Sequence, residues 1–114
     1  MTTSTSTVPF LAYDVSRSLV VAVRGPLEIL ARRDPSLCDQ LRRAVASVPL
    51  NVAEGNRRSG KDRGHLFRIA LGSASEVQAC LEVAEAFGYL APDGIALALE
   101  TADRAQRLLR GLTR

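Results

Sequence analysis

Apolar residues recur every three or four positions along four stretches of the chain, and this spacing constrains the fold more than any other feature of the sequence. It is the period of one face of an α-helix. The β-branched residues never alternate with polar ones over the length of a strand. Hydrophobic residues make up 46% of the chain and aromatic residues only 4%, so the predicted core is aliphatic and suits closely packed helices rather than sheets. The sequence therefore predicts an all-α fold.

Proline and glycine divide the 114 residues into four predicted helices. The first is predicted to kink at Pro26 or to form two pieces there, and the second to kink at Pro49. A proline inside a helix has no N–H for the preceding turn, and its ring crowds that turn. Loops of a few residues make successive helices antiparallel neighbours, so we expect a single domain, an up-down four-helix bundle. The predicted helices cover residues 10–33, 35–56, 60–87 and 92–112, after a disordered tail at residues 1–9.

Residues typical of helix ends mark three of these boundaries. Asp34 followed by Pro35 is typical of an N-cap and a first helical residue. Ser59 and Asp62 have the spacing of a capping box, in which each side chain accepts a hydrogen bond from the backbone N–H of the other residue. Gly88 is predicted to end the third helix.

The second and third predicted helices contain more apolar residues than one buried stripe requires. Two interpretations remain open: the additional residues form a second face for self-association, or they widen the seam that faces the core. These residues are Leu50, Phe67, Ile69, Leu71 and Val83.

Positive charge is concentrated in the middle of the chain. The net charge is +3, but residues 42–68 contain seven basic and two acidic residues and have a net charge of +5. Arg57 and Arg58 fall at the end of the second helix, where cations oppose the helix dipole favourably. Lys61 and Arg63 fall in the first turn of the third, where a cation is unfavourable by about 0.3–1 kcal/mol. The seven basic residues are Arg42, Arg43, Arg57, Arg58, Lys61, Arg63 and Arg68.

Two explanations of this basic cluster stay open at the level of sequence. Cations placed against a helix dipole indicate an external anion, such as the phosphates of a nucleic acid. A run of charged residues is, on the other hand, often only a solvated surface.

Residues 55–61 have the G-x-x-x-x-G-K spacing of a phosphate-binding loop, but two features argue against nucleotide hydrolysis. Asp62 replaces the Ser or Thr that would hold magnesium, and a helix rather than a strand is predicted before the motif. His65 has no second metal ligand nearby. Cys38 and Cys80 lie on different predicted helices and are expected to be reduced thiols. We therefore predict no enzymatic activity, no cofactor and no metal site.

The sequence also gives an expectation for where the protein works. Its N-terminal residues have neither the basic nor the apolar region of a signal peptide. No apolar run approaches the roughly 20 residues needed to cross a bilayer. We therefore expect a cytoplasmic protein that has no membrane partner.

Three stretches, 40–44, 47–55 and 67–76, together with Gly88-Tyr89-Leu90, resemble one bacterial family across about residues 10–112. It is the four-helix-bundle family found in intervening sequences of 23S rRNA genes, which is related to the accessory variability determinant of diversity-generating retroelements. The resemblance implies a barrel-shaped homopentamer with a central channel. It also implies basic surfaces that bind a reverse transcriptase and RNA or DNA. The motif positions with an implied role in packing and helix-end geometry are Pro49, Asn51, Glu54 and Gly55.

The function predicted from these features is that of a non-catalytic, oligomeric adaptor. It would bind RNA or a ribonucleoprotein by contacting phosphates through the seven basic residues, because few aromatic side chains are available to stack on bases. The alternative is a scaffolding homo-oligomer that binds another protein and no nucleic acid, with its arginines in ion pairs between subunits. Nucleic-acid affinity that falls steeply with salt would favour the adaptor over the scaffold.

Overall fold

Five helices and no strand form the part of the chain that the computed structural model describes, residues 7–114. The all-α prediction is therefore confirmed, but the helix count differs from the predicted four because the first predicted helix is divided into two. The helices are α1 (Val8–Ala22), α2 (Arg24–Arg33), α3 (Pro35–Asn56), α4 (Gly60–Ala86) and α5 (Pro92–Leu112).

The division between α1 and α2 falls at Val23, three residues before the proline at which a kink was predicted. Helical hydrogen bonds continue on both sides, since the N–H of Val23 donates to the carbonyl of Leu19 and the N–H of Leu27 to that of Val23. Pro26 has no N–H to donate to the carbonyl of the residue four positions earlier, and its ring crowds the turn before it. The chain therefore departs from helical geometry before the proline, and Pro26 itself is buried in the first turn of α2.

The start of α1 corrects the predicted N-terminal tail. Val8 and Pro9 belong to the first turn of the helix, where a proline is tolerated because its missing N–H would have no helical partner. Pro9 is buried, and its carbonyl accepts a hydrogen bond from Asn56 Nδ2 at 3.2 Å. Thr7 is the N-cap residue of α1, and the remaining residues of the predicted tail, 1–6, lie outside the described residues.

Helix α3 has the bounds predicted for the second helix and continues without a break through Pro49. The predicted cap at its start is confirmed, because the N–H of Leu37 donates to Asp34 Oδ1 at 3.1 Å. This bond satisfies one of the backbone donors that have no partner inside the helix.

The two ends of α4 differ in how well the sequence predicts them. Ser59 is the N-cap residue and has an extended backbone, but its side chain makes no capping hydrogen bond, so the predicted capping box is wrong. Gly88 does end the helix: its φ of 79° lies in the left-handed region. The N–H of the next residue, Tyr89, turns back to donate to the carbonyl of Ala84 at 2.9 Å.

The four longer helices are arranged so that each packs against two others. Helix α1 packs against α3 and α5, and α4 packs against the same two helices, so that α1 and α4 lie diagonally opposite each other. The hydrogen bond from Asn56 to Pro9 joins the end of α3 to the start of α1. Ser73 bonds Ser47 between α4 and α3, at 2.8 Å. Neighbouring long helices along the chain are therefore antiparallel.

An aliphatic core fills the space between the helices, as the composition predicts. The largest fully buried side chains come from every helix and include only one aromatic ring, that of Phe67. Burial of one such side chain contributes about 1.5–3 kcal/mol. No helix within residues 7–114 is both long and apolar enough to span a membrane.

Candidate nucleic-acid interface

Helices α3 and α4 meet in a short turn at residues 57–59, and five of the seven predicted basic residues lie at this end of the bundle. Arg68 belongs to the group although it lies two turns into α4. Its Nη1 atom lies 3.4 Å from the position that a Cβ on Gly64 would occupy, so the guanidinium extends back towards the turn. We call this group the basic end; it consists of Arg57, Arg58, Lys61, Arg63 and Arg68.

Two residues of the basic end have partners within the protein. Arg58 pairs with Glu54 one turn earlier in α3, with Nη2 and Oε1 2.8 Å apart, and this hydrogen bond raises the pKa of Arg58. Arg63 Nη1 donates to the carbonyls of Gly55 and Arg58, at 3.3 and 3.4 Å. These carbonyls lie at the end of α3, where that of Gly55 also accepts the N–H of Arg58 at 3.1 Å, so Arg63 adds a side-chain cap to the C-terminus of that helix. Its position in the first turn of α4 thus has a structural explanation.

The turn is also held by a close approach of the two helices. A Cβ atom at Gly55 would lie 2.6 Å from Cε1 of Phe67, which is far inside van der Waals contact. The Phe67 ring is 1% exposed, and the guanidinium of Arg63 lies 5.0 Å from the ring centre. Gly55, Arg63 and Phe67 therefore form one packed unit that fixes the geometry of the basic end.

The other members of the basic end remain available to a ligand. Within residues 7–114 the ion pairs are Arg58–Glu54 and Arg107–Asp103, so Arg57, Lys61 and Arg68 have no carboxylate partner in the described structure. All three side chains are exposed. Asp62 is the acidic residue in the first turn of α4 and offsets part of the charge there.

The structure does not bring Arg42 and Arg43 to the basic end. Fourteen residues of helix separate Arg43 from Arg57, a distance of about 21 Å along α3. The two arginines lie instead near the level of Glu76 in α4, because the neighbouring Gln40 Nε2 is 3.5 Å from Glu76 Oε2. The structure therefore divides the seven basic residues into two groups, because residues close in sequence along α3 lie far apart along the bundle.

Helix α5 adds two arginines that the sequence analysis did not include. Ser75 Oγ of α4 donates to Gln106 Oε1 of α5 at 2.9 Å, which fixes how far the two helices overlap. Arg110 and Arg114 lie one and two turns beyond Gln106 in sequence. Because α5 is antiparallel to α4, this direction leads towards the start of α4. Both are exposed. The predicted antiparallel order of the last two helices is the signal from which this proximity could have been found.

The residues matched to the family motif hold α3 against its neighbours. Asn51 Nδ2 donates to the carbonyl and to the hydroxyl of Ser47, at 2.8 and 2.9 Å, and the same hydroxyl receives the bond from Ser73 of α4. Glu54 and Gly55 act at the end of α3 as described above. Pro49 is partly buried and faces a groove between α1 and α3.

The other residues considered for chemistry are dispersed. Cys38 and Cys80 are buried, free thiols on α3 and α4, and the Cys38 thiol lies 3.5 Å from the carbonyl of Leu27. His65 is exposed on α4. Among residues 7–114, no three His, Cys, Asp or Glu side chains gather as metal ligands would. The segment 55–61 follows a helix, whereas a phosphate-binding loop follows a strand.

Of the five residues considered for a second apolar face, two are buried or partly buried and three are exposed. Phe67 belongs to the core at 1% exposure and Leu71 is partly buried, whereas Leu50, Ile69 and Val83 are 67%, 38% and 44% exposed. Further apolar side chains that the sequence analysis had assigned to no face are also exposed on α1 and α5. These are Phe10, Val21 and Leu97, which are 65%, 61% and 66% exposed.

Comparison with known proteins agrees with this architecture. A crystal structure of a protein of unknown function from the S23 ribosomal protein family of Bacteroides thetaiotaomicron superposes with a TM-score of 0.84. The two are 18% identical, and the match covers 93% of this chain and 97% of that one. A search of curated proteins found no match. The family model for 23S rRNA-intervening sequence proteins matches residues 11–111. That match covers all five helices almost completely, and the chain therefore belongs to the 23S rRNA-intervening sequence protein family.

Proposed function

We propose that this protein is a non-catalytic, oligomeric adaptor that binds structured RNA, alone or within a ribonucleoprotein, through the basic end. The observation that supports it is a group of exposed cations, Arg57, Lys61 and Arg68, which have no carboxylate partner within residues 7–114. They lie near the start of α4, where Ser59 makes no capping hydrogen bond through its side chain. Phosphate oxygens would accept hydrogen bonds from these side chains and from the free backbone N–H groups of the helix start.

The proposed contacts are to phosphates rather than to bases. The basic end is exposed and charged, and the ring of Phe67, which packs against Arg63, is buried and cannot stack on a base. The exposed ring of Phe10 lies beside Arg57, but one ring offers a single stacking surface against five cations. Binding of this kind depends on shape and charge, so a folded RNA with closely spaced phosphates suits it better than a short single strand. The family description refers to 23S rRNA, so a fragment of that RNA is the first ligand to test. In this proposal the protein works in the cytoplasm, and a reverse transcriptase is one candidate ribonucleoprotein partner.

Self-assembly is the second part of the proposal. Contiguous exposed apolar patches mark interaction surfaces, and Tyr13, Val21 and Leu50 line one groove between α1 and α3. The pentamer that the family resemblance implies would have five basic ends and a net charge of +15, since each chain contributes +3. Several weak phosphate contacts would then act together, so that the assembly binds more tightly than one chain.

The test is fluorescence anisotropy of a labelled, structured 23S rRNA fragment, titrated with the protein at several salt concentrations. The wild type is expected to bind with a steep salt dependence. The Lys61→Glu/Arg68→Glu variant is expected to lose at least tenfold in affinity and about one unit of log–log salt slope for each phosphate contact removed. Its oligomeric mass should stay that of the wild type.

The matched control is Arg24→Glu/Arg104→Glu. It also changes the net charge from +3 to −1, but both residues are exposed and outside the basic end. An equal loss of affinity in this control would show that binding follows total charge and not this surface. If the wild type does not bind at low salt, the adaptor function is wrong and the scaffolding alternative, with a protein partner, takes its place.

A further inference from the structure

An exposed pair of aromatic rings lies where α4 ends, at the opposite end of that helix from the basic end. The rings of Phe87 and Tyr89 stack with their centres 5.3 Å apart and their planes 17° from parallel. The guanidinium of Arg33, the last residue of α2, lies 5.4 Å from the centre of the Tyr89 ring. Phe87 is 64% exposed, so most of its surface is free to contact a partner. We call Arg33, Phe87 and Tyr89 the aromatic end.

The backbone holds this aromatic pair in place. Gly88, whose φ of 79° is left-handed, reverses the chain between the two rings. The N–H of Tyr89 donates to the carbonyl of Ala84 at 2.9 Å. Tyr89 also packs against the core, and the residue after it, Leu90, is buried. The rings are therefore presented by a fixed turn, and a ligand that binds them does not first have to order this segment.

The aromatic end is acidic, although the chain as a whole is basic. Residues 82–93, which include Phe87, contain three acidic residues and no basic one. Residues 28–39, at the junction of α2 and α3, contain three acidic and two basic residues. The two segments have a combined net charge of −4, whereas the net charge of the chain is +3. Phosphates are therefore repelled at this end, and cations are attracted to it.

The carboxylates closest to Phe87 in the sequence have no cation of their own. Within residues 7–114 the ion pairs include neither Glu82, Glu85 nor Asp93. Glu82 accepts a hydrogen bond of 3.5 Å from the neutral side chain of Gln78. Glu85 lies in the last turn of α4, which contains no basic residue, although the partial negative charge of a helix C-terminus favours a cation. The local charges thus favour a cation from outside the chain.

We propose that the aromatic end binds an arginine- or lysine-rich segment of a protein partner. A guanidinium or ammonium group of that segment stacks on the exposed ring of Phe87, as Arg33 already does on Tyr89, and its neighbours face the three carboxylates. The inference rests on the adaptor role of the proposed function but not on RNA binding, and it gives the adaptor a protein partner. RNA and the basic segment then occupy opposite ends of α4, a helix of 27 residues that is about 40 Å long.

The test is fluorescence anisotropy of a labelled peptide of Gly-Arg-Gly repeats, titrated with the full chain at several salt concentrations. The wild type is expected to bind at low salt and to lose affinity as salt rises. Phe87→Leu keeps an apolar side chain but removes the aromatic face, so it should bind the peptide about fivefold more weakly. Phe87→Trp should bind at least as tightly as the wild type, because tryptophan offers the strongest face to a cation.

A second pair of variants tests the carboxylates. Glu82→Gln/Glu85→Gln should bind the peptide about fivefold more weakly and with a smaller salt dependence, because two ion pairs with the peptide are lost. Asp14→Asn/Glu100→Gln is the matched control. It also changes the net charge of the chain from +3 to +5, but both residues are exposed and lie outside the two acidic segments. An equal loss of affinity in this control would overturn the proposal, because the peptide would then respond to total charge.

Other results that would overturn the proposal concern the ring itself. They are absence of peptide binding by the wild type at low salt, and equal peptide affinity of Phe87→Leu and the wild type. Weaker binding of the 23S rRNA fragment by Phe87→Leu would instead place RNA bases on the ring. A lower molar mass of Phe87→Leu in light scattering, with helicity unchanged by circular dichroism, would show that another copy of the chain covers it. If the wild type binds the peptide but no RNA, the RNA part of the proposed function fails and the aromatic end is retained.

Discussion

One missing side chain at Gly55 lets two helices of this protein meet. The glycine has no positive φ, so its role is steric: the space of its Cβ is filled by the ring of Phe67 from α4. The same ring supports the guanidinium of Arg63, which caps α3. Two residues that look like a turn glycine and a surface cation in the sequence thus belong to one packed unit at the basic end.

Gly55→Ala is therefore expected to destabilise the fold by about 1–3 kcal/mol, because the new methyl group overpacks a site that a buried ring already fills. Urea denaturation monitored by circular dichroism measures the change. Gly94→Ala is the control, since no atom lies within 4 Å of the added Cβ. It should leave stability unchanged or raise it by up to about 1 kcal/mol. Equal stability of Gly55→Ala and the wild type would contradict the packed unit.

Arg63→Met should lower the free energy of unfolding by about 1 kcal/mol, because the lost hydrogen bonds to the α3 carbonyls are long and partly exposed. Arg57→Met should leave it unchanged, because Arg57 is exposed and has no carboxylate partner in the described structure. Chemical denaturation of both variants separates the structural arginine from the one available to RNA. If Arg57→Met were less stable than Arg63→Met, Arg57 and not Arg63 would be the arginine that supports the fold.

Cys80 predicts a pH dependence of stability. Burial, and then the charge of Glu76, raise the pKa of its thiol above the ordinary value. The folded state therefore holds this proton more tightly than the unfolded state, and the contribution to stability, complete below the ordinary cysteine pKa, is lost as pH rises through the raised one. Denaturation between pH 7 and 10 should show a smaller alkaline decline for Cys80→Ala than for the wild type. Cys38→Ala serves as the reference for loss of a buried sulfur.

At the scale of the helices, the sequence predicted what depends on local chemistry. Asp34 caps α3 and Gly88 ends α4, because each acts within one turn of chain. Ser59 does not cap α4, since its backbone is extended as expected but its side chain bonds nothing there. The prediction that Pro26 interrupts the first helix was correct, but the interruption lies three residues earlier, at Val23. The reason is that a proline ring crowds the turn that precedes it.

Contacts between helices explain the rest of what sequence reasoning missed. Spacing in one helix cannot show that Arg110 and Arg114 approach the basic end, or that Arg42 and Arg43 stand far from it. Gln106, 4% exposed, is the clearest marker of the overlap between α4 and α5, since its amide joins Ser75 and Gln78. A polar residue in an otherwise aliphatic stripe of the sequence can therefore mark where one helix packs against another.

Gln106→Ala should cost about 1–3 kcal/mol, from lost hydrogen bonds and the space left in the α4–α5 seam. The midpoint of urea denaturation should fall without a change in its slope, which would show that the unfolded state is unaffected. Gln40→Ala is the control, because Gln40 is exposed and makes only one long bond to Glu76. Similar midpoints for the two variants would mean that the buried amide does not fix the helix pair.

At the scale of the whole molecule, the proposed RNA surface predicts a difference between two pairs of arginines. Arg110→Glu/Arg114→Glu should weaken RNA binding at least as much as Arg42→Glu/Arg43→Glu, because only the former pair lies towards the basic end. Both variants change the net charge of each chain from +3 to −1, so total charge cancels in the comparison. Fluorescence anisotropy at one salt concentration measures the RNA affinity of both variants. Greater loss in the Arg42 and Arg43 variant would place the RNA on the side of the bundle.

Assembly and RNA binding should also be separable. Leu50→Asp places a charge in the exposed apolar groove between α1 and α3 and is expected to weaken self-assembly. The variant retains every basic residue, but it should bind RNA at least tenfold more weakly, because the contacts of several copies no longer act together. Lys61→Glu/Arg68→Glu should instead keep its mass and lose affinity. Equal affinity of Leu50→Asp and the wild type would show that a single basic end accounts for binding.

The cap that Arg63 places on α3 has a consequence for how tightly the basic end can bind. A loop that orders only on contact loses conformational freedom at that moment, and the loss subtracts from affinity. Here the turn at 57–59 is short, and the carbonyls of Gly55 and Arg58 are already held from α4. The cations that flank the turn are thus preorganised for a ligand, and lengthening the turn by a neutral Gly-Ser insertion would lower affinity without removing a single charge.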